Sequence, residues 1–354
     1  MCASFFVLSE SRKVKKMGVG RKRRRVIVTV LDWGIGHASR TAVIIRRLIA
    51  RGDEVILAGS GESIELLKRE FRDLESIELQ SFSPWIGGRG WLWAAIMVQT
   101  PALLWRTWKE HRETERIVRE KRIDMIISDN RYGVWSRACR SYILTHQLNV
   151  KVAKGAPRWL NEMVSIVIRR MIGRFDGCLI ADYKIGGLSG ELTSPKPKGI
   201  RCHAIGLLSR IAEAKTSRED EGGEIEWLGI ASGAEPQRSE FVEEMKERFK
   251  AESGRRVIVE GRGDAKRTDG GIEMIGYADA GEMRRLIEKS KNIVCRSGYS
   301  TIVDLWALGK QATLIPTAGQ AEQEYLAERM KELWGEKGGT KEATETAESP
   351  VKKK

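Results

Sequence analysis

From Val26 onward, short β-branched runs alternate with longer amphipathic stretches. A parallel strand covered by helices on both faces reads as a continuous apolar run, and each return to its neighbour needs a crossover of a dozen residues or more. The alternation therefore predicts an α/β protein. Candidate strands are Val26–Leu31, Glu54–Ala58, Ser76–Gln80, Ile123–Ser128, Ser141–Thr145, Gly177–Ala181 and Arg201–Ile205. After the polar, acidic stretch 209–224 the pattern restarts with Trp227–Ala231, Val257–Glu260, Ile272–Ile275, Asn292–Cys295 and Ala312–Ile315. With 354 residues, the restart implies two α/β domains, at 26–208 and 225–335, joined by a linker at 209–224.

The formal net charge of +14 is unevenly spread. Residues 1–25 hold nine Lys/Arg against Glu10 alone and read as a basic tail, while the charged, Gly- and Thr-rich segment 336–354 cannot bury enough apolar surface to order itself. The body is only mildly basic. Five scattered cysteines without a CxxC pair and four dispersed histidines exclude a disulfide framework and zinc-ligand spacing, and suggest a reducing cytosol. The apolar run in MCASFFVL is too short for a signal peptide and precedes its charges, and Met17 is an alternative start. The charge-free stretch Gly90–Trp105 contains Pro101 and falls short of the roughly 20 residues a spanning helix needs.

The first strand runs into Asp32-Trp33-Gly34-Ile35-Gly36-His37-Ala38-Ser39-Arg40, followed by a helix expected over Thr41–Arg51. Gly34 and Gly36 would let the backbone approach an anionic or sugar ligand at a helix start. His37 would face the crevice at the carboxyl ends of the strands, where ligands of such sheets bind, and imidazole titrates near neutrality. A tight turn, or a helix cap by His37 or Ser39, is the plainer alternative. Two more strands end in polar groups, at Asp129 and at His146, and the same edge would bring both toward His37. The alternative for Asp129 is to cap a helix starting near Tyr132; for His146 it is an ordinary loop.

In the second half, Ser232 and Gly233 lead from a strand toward a helix containing Arg238. Cys295-Arg296-Ser297-Gly298 leads into another, with Thr301 and Asp304 on its first turns. Arg, Ser and free backbone N–H groups at a helix start suit a diphosphate, and a carboxylate one turn in suits a ribose. A third strand ends in Ile315-Pro316-Thr317-Ala318-Gly319-Gln320-Ala321-Glu322-Gln323-Glu324-Tyr325, offering amides and carboxylates at one more helix start.

These motifs resemble the MurG-like, family 28 glycosyltransferases. The likeness lies in LDWGIGHASR, SDNRYGVWS, THQL, GLSGEL, SGAEPQR and RSGYSTIVDLWALGKQATLIPTAGQAEQEYLA, in the same order over about residues 26–330. The resemblance implies a GT-B enzyme: two Rossmann-like domains facing across a cleft, the acceptor in the first and the nucleotide-sugar donor in the second. It implies that Ser297 and Gly298 meet the donor diphosphate, Asp304 the ribose, Gln323 and Glu324 the sugar hydroxyls, and the main chain near Tyr277 the base. His37 and Gly36 would then lie by the reacting centre, and inversion at the anomeric carbon is favoured. This chain departs from the pattern at Asp32-Trp33, where the family has a denser glycine run, and at Glu324, which replaces an amide. Both departures put a peptidoglycan-precursor acceptor in question and leave the donor sugar open.

The expected reaction is hexosyl transfer from a nucleotide-diphosphate sugar, a UDP-sugar being favoured, to a hydroxyl acceptor that is lipid- or glycan-linked. The sequence holds no DxD triplet, and basic groups with helix dipoles can stabilise the leaving diphosphate without a metal or other cofactor. The expected base is His37, with Asp129 second. Trp85, Trp91, Trp93, Trp105 and Trp108, followed by the charged stretch Lys109–Arg122, suggest either a monotopic patch or a packed helix. The Arg21–Arg25 cluster suits anionic headgroups. The expected location is the cytoplasm, peripherally on the inner membrane face. Two alternatives share some of these features: a nucleotide-sugar 2-epimerase of the same fold, and a non-catalytic nucleic-acid binder using the basic arm. No RNA-binding fold signature appears, so no specific nucleic-acid partner is expected.

Overall fold

The computed structural model describes residues 23–32, 35–80, 92–150, 158–215, 223–233, 235–263 and 265–336. Two compact units emerge: Met1–Arg210 with Ala318–Glu322, and Ile211–Thr317 with Gln323–Lys354.

The first unit is a seven-stranded, all-parallel sheet. The chain runs β1 (Arg25–Thr29), α1 (Ile35–Ala50), β2 (Glu54–Gly59), α2 (Gly61–Glu70), β3 (Glu75–Glu78), α3 (Leu92–Lys121), β4 (Met125–Asp129), β5 (Arg140–Thr145), α4 (Arg158–Ile172), β6 (Gly177–Ile180) and β7 (Cys202–Ala204). The spatial order is β3-β2-β1-β4-β5-β6-β7. Val26 to Thr29 of β1 are essentially inaccessible, as the apolar run demands of a strand with neighbours on both sides and helices above and below. Each such Val or Ile contributes roughly 1.5–3 kcal/mol on burial. Because β1 to β3 step one way and β4 to β7 the other, the sheet has a topological switch point between β1 and β4, where Val28 pairs with Ile127 and Thr29 with Ser128.

The second unit contains β8 (Ile225–Ile230), α5 (Gln237–Lys250), β9 (Arg256–Val259), β10 (Lys266–Asp269), β11 (Ile272–Ile275), α6 (Ala280–Lys289), β12 (Ser290–Cys295), α7 (Tyr299–Ala307), β13 (Thr313–Leu314) and, from Gln323 on, α8 (Ala321–Glu336). Its sheet order is β10-β11-β9-β8-β12-β13, with the reversal between β8 and β12, where Ile230 pairs with Cys295. Phe241 and Phe249 of α5 seal one face with Met245 and Ile258.

Three local expectations are corrected. The first helix begins at Ile35 rather than Thr41, so Gly36, His37 and Ser39 form its first turns and neither His37 nor Ser39 caps it. No helix follows β4: the chain turns through 131–139 directly into β5, so Asp129 caps nothing. The strand β10 escaped notice because Lys-Arg-Thr-Asp is polar throughout. It is the antiparallel edge of a hairpin whose turn, Gly270-Gly271, takes φ of +57° and +76°. Paired positive φ values match the type I′ twist that two-residue hairpins require.

Candidate active site

The switch point of the first sheet gathers an ionised cluster. β1 delivers the chain into α1, whose first turn carries His37 and, one turn on, Arg40; β4 ends on Asp129, and His146 follows β5. The Asp129 carboxylate is 1% exposed. Its Oδ2 accepts from Arg40 Nε at 2.8 Å and from Thr41 Oγ1 at 3.0 Å, and its Oδ1 accepts from Arg40 Nη2. His37 Nδ1 lies 3.1 Å from Asp129 Oδ1 and 2.9 Å from Arg40 Nη2. A carboxylate only accepts and a guanidinium only donates, so the two contacts belong to different tautomers. With the proton on Nδ1, His37 donates to Asp129 and keeps the lone pair of Nε2.

Arg40 Nη1 also donates to His146 Nδ1 at 2.7 Å, which leaves the His146 proton on Nε2 to be given to Glu322 Oε1 at 2.8 Å. Glu322 belongs to the short 318–322 segment of this first unit. Burial pushes the His37 pKa below the ordinary imidazole value; the Asp129 charge opposes this without overcoming it, and Arg40 adds to it. Burial would raise the Asp129 pKa, but the positive charge of Arg40, then His37, outweighs it and holds the carboxyl ionised far below the usual range. Glu322 is also lowered: burial acts upward, and His146, then His37 and Arg40, together outweigh it. At neutral pH His37 is thus an uncharged imidazole backed by a fixed carboxylate, the arrangement of a general base.

Arg40 joins three of the predicted residues, yet sequence reasoning passed it over. The available signal was its spacing: three residues after His37 on one helix, it shares that histidine's face. Glu322 stood within a quoted motif without a role. Gly34 lies outside the described residues.

In the second unit the switch point is built from backbone. Ser232 and Gly233 follow β8, with Gly233 at φ +107°. Gly298 caps α7 without a side-chain hydrogen bond, and a Cβ built there meets open space. Thr301 is half-buried and Asp304 buried on α7. The charged side chains expected here are turned to other work. Arg296 is buried, its guanidinium 3.9 Å over the Phe241 ring and its Nη1 3.3 Å from the carbonyls of Ile315 and Pro316. Ser297 Oγ donates to the Gln323 carbonyl at 2.7 Å, and Gln323 Oε1 accepts from Thr317 N at 2.9 Å. Arg238 donates to Glu235 Oε1 at 3.0 Å and to the Gly261 carbonyl at 3.2 Å. Tyr277 lies half-buried after β11, and Glu324 half-buried near the start of α8; Gln320 lies in the segment that goes with the first unit. Among the described residues, no group of three His, Cys, Asp or Glu is gathered as a metal site, and no helix is long and apolar enough to cross a membrane.

Residues 238–346 match the model of the glycosyltransferase family 28 C-terminal domain. The kitacinnamycin glycotransferase superposes with a TM-score of 0.60 at 17% identity, covering 89% of this chain and 85% of that one. CalG4, the calicheamicin glycosyltransferase, gives 0.58 at 11% identity, covering 88% and 84%. UGT89C1 of Arabidopsis thaliana, complexed with UDP-L-rhamnose, gives 0.56 at 15% identity, covering 88% and 84%. A comparison with curated proteins returns no match. Two doubly wound sheets superposing on these structures define the GT-B fold. The second unit thus carries a stretch similar to the glycosyltransferase family 28 C-terminal domain, and nothing in these matches supports the epimerase alternative.

Proposed function

We propose that the protein transfers a hexosyl group from a UDP-sugar to a hydroxyl acceptor with inversion, His37 acting as general base. The observation that carries this reading is the His37–Asp129 pair at the switch point of the first sheet. As the acceptor oxygen bonds to the anomeric carbon, its proton passes to His37 Nε2. The bond from that carbon to the diphosphate oxygen breaks on the opposite face, and its electron pair leaves with UDP. Asp129 holds the ring in the productive tautomer and stabilises the imidazolium that forms. His146, fixed between Arg40 and Glu322, keeps the guanidinium from turning.

The donor reading rests on α7. The first N–H groups of a helix carry a partial positive charge, and Gly298 leaves the space before them open. They would take the growing negative charge of the diphosphate without a metal ion. Asp304 would accept from the ribose, with the Tyr277 main chain at the base and Gln323 and Glu324 toward the sugar. UDP is favoured because TcCGT1, which superposes with a TM-score of 0.57 at 11% identity, was solved in complex with UDP. A thermal-shift comparison of nucleotide diphosphates tests this. UDP at 100 times its Kd should add about 2.7 kcal/mol of stability, and Asp304→Ala should lose most of that. No stabilisation of folded wild type by any nucleotide diphosphate would sink the donor assignment.

Peripheral membrane attachment and a lipid-linked acceptor, in the manner of MurG-like enzymes, belong to the same proposal. They draw on α4, where Trp159, Met163, Ile166 and Val167 form one exposed apolar stripe, with Trp159 63% exposed, followed by Arg169 and Arg170. Apolar residues flanked by cations suit an anionic bilayer surface. Trp85 and Trp91 lie outside the described residues. Wild type should float with phosphatidylglycerol vesicles and the Trp159→Ser, Met163→Ser double variant should not; failure of the wild type to float removes this part.

A further inference from the structure

A pocket of about 960 Å3 opens between α3 and the ends of β1, β3 and β4. Its rim includes Leu31, just past β1, and Asn130, the residue after Asp129. It therefore lies on the same edge of the sheet as His37. Part of its wall is one stripe of α3: Trp105, Trp108, Lys109, Arg112 and Arg116, which share a single helix face.

That stripe pairs rings with cations. The Lys109 ammonium lies 5.9 Å from the Trp105 ring centroid, and the Arg112 guanidinium 4.9 Å from that of Trp108. Among the described residues neither cation has a carboxylate within ion-pair distance. The glutamates next to them in sequence are engaged elsewhere: Glu110 accepts from Arg131 Nε at 2.8 Å and from Gly133 N at 3.0 Å, and Glu113 pairs with Arg116 at 3.8 Å. Over the whole lining, five Lys/Arg face three glutamates. Trp105 and Trp108 are more than half exposed at 58% and 53%, a costly surface for a large aromatic unless something covers it. The volume lies near the upper end of what small-molecule sites span, far more than a bare anion fills.

We propose that this pocket binds the phosphate of a phosphorylated acceptor, with Lys109 and Arg112 as its anion ligands and Trp105 and Trp108 packing on the sugar ring or hydrocarbon that bears it. The assignment rests on the reading of this unit as the acceptor domain and narrows the acceptor to an anionic class. A trapped anion would draw each cation outward from its ring while the indoles hold the apolar part. The hydroxyl to be glycosylated would then lie toward Asn130 and His37.

The test is calorimetric titration of the full chain, without donor, using hexyl phosphate, neutral hexyl glucoside and inorganic phosphate as probes. Hexyl phosphate should bind more tightly than either of the others. The Lys109→Ala, Arg112→Ala double variant should weaken it at least tenfold, whereas His37→Ala should leave it unchanged. These side chains are exposed, and UDP stabilisation of the double variant checks that it folds. Equal affinity for the double variant and wild type, or for hexyl glucoside and hexyl phosphate, overturns the proposal. Phosphatidylglycerol vesicles that displace hexyl phosphate from wild type identify a lipid headgroup as the source; failure to displace it identifies a soluble phosphate, and both keep the site. Loss of turnover in His37→Ala with no hexyl phosphate binding refutes the pocket and spares the transferase reading. Hexyl phosphate binding that needs Lys109 and Arg112, in a protein that no nucleotide stabilises, does the reverse.

Discussion

The switch points of the two sheets occupy equivalent places and are built from opposite materials. In the first, six side chains drawn from α1, β4, the loop after β5 and the 318–322 segment form one hydrogen-bonded network centred on Arg40 and Asp129. In the second, Arg296 and Ser297 fold back onto carbonyls, and the edge presents main chain at Gly233 and at Gly298, the glycine cap of α7. Proton transfer requires a titratable atom fixed in one tautomer, which only ionised, mutually oriented side chains supply. Holding a diphosphate requires several donors of fixed direction and no proton, which a helix start supplies from any sequence with room for the ligand. On the proposed function the contrast divides the chemistry: activation in the first unit, charge acceptance in the second.

The largest break in that contrast is His37→Ala. It should lower kcat by roughly 10²- to 10⁴-fold, the range for a general base, while the UDP-induced thermal shift stays unchanged. Steady-state kinetics beside the shift assay checks it; intact turnover would remove the base from the first unit. Asp129→Asn is next. It leaves Arg40 in a buried site without its counter-charge, and breaking such a pair costs about 3–5 kcal/mol. Urea denaturation should show that loss, and kcat should fall as well because an amide no longer selects the Nδ1–H tautomer.

What was legible in the sequence follows the range of the interactions concerned. Twelve of the thirteen strands are legible, and the central ones, such as β1 and β4, announce themselves most clearly, because burial on both faces is a requirement each meets within its own residues. His37, Asp129 and His146 could be singled out because strand ends in a parallel sheet share one edge. Arg40 could not, since an arginine within a helix that also carries Arg46 and Arg47 reads as solvated charge until its 3% exposure is seen. Glu322 reaches His146 across 176 residues, a contact no local pattern encodes. The early start of α1 was hidden because two glycines signal a turn, whereas Gly36 sits within the first helical turn. Arg296 illustrates the converse: its position fits a phosphate ligand, but the Phe241 ring and two carbonyls claim it.

Gly298→Leu sharpens the second half of the comparison. Its φ of −69° suits any residue and a Cβ there has no protein atom within 4 Å, so folding stability should change by no more than about 0.5 kcal/mol. A ligand lying against the start of α7 would collide with the leucine. UDP affinity should fall about tenfold or more, equivalent to about 1.4 kcal/mol, and the stability of the unliganded protein reports separately on folding. Unchanged UDP binding would move the diphosphate away from this helix.

The smallest expected effect is a pH dependence confined to the first unit. His37 has its pKa depressed on folding, so between that value and the ordinary 6.5 the unfolded chain binds more protons than the folded one. Stability therefore rises with pH through that window and levels off above 6.5. Asp129 and Glu322, also depressed, contribute stability that is complete above their ordinary values of 3.8 and 4.5 and is lost on acidification below them. All three groups act in one direction, so acid weakens the first unit in two stages. With the same neutral imidazole as the proposed base, the acid limb of kcat should fall below pH 6.5. In Asp129→Asn it should move lower still, since the carboxylate is what raises the His37 pKa against burial. Kinetics from pH 5 to 8 on both proteins decides this: a limb that shifts upward, or does not shift, would mean that Asp129 does not set the protonation of His37 and that the first unit's side-chain cluster is a structural clamp.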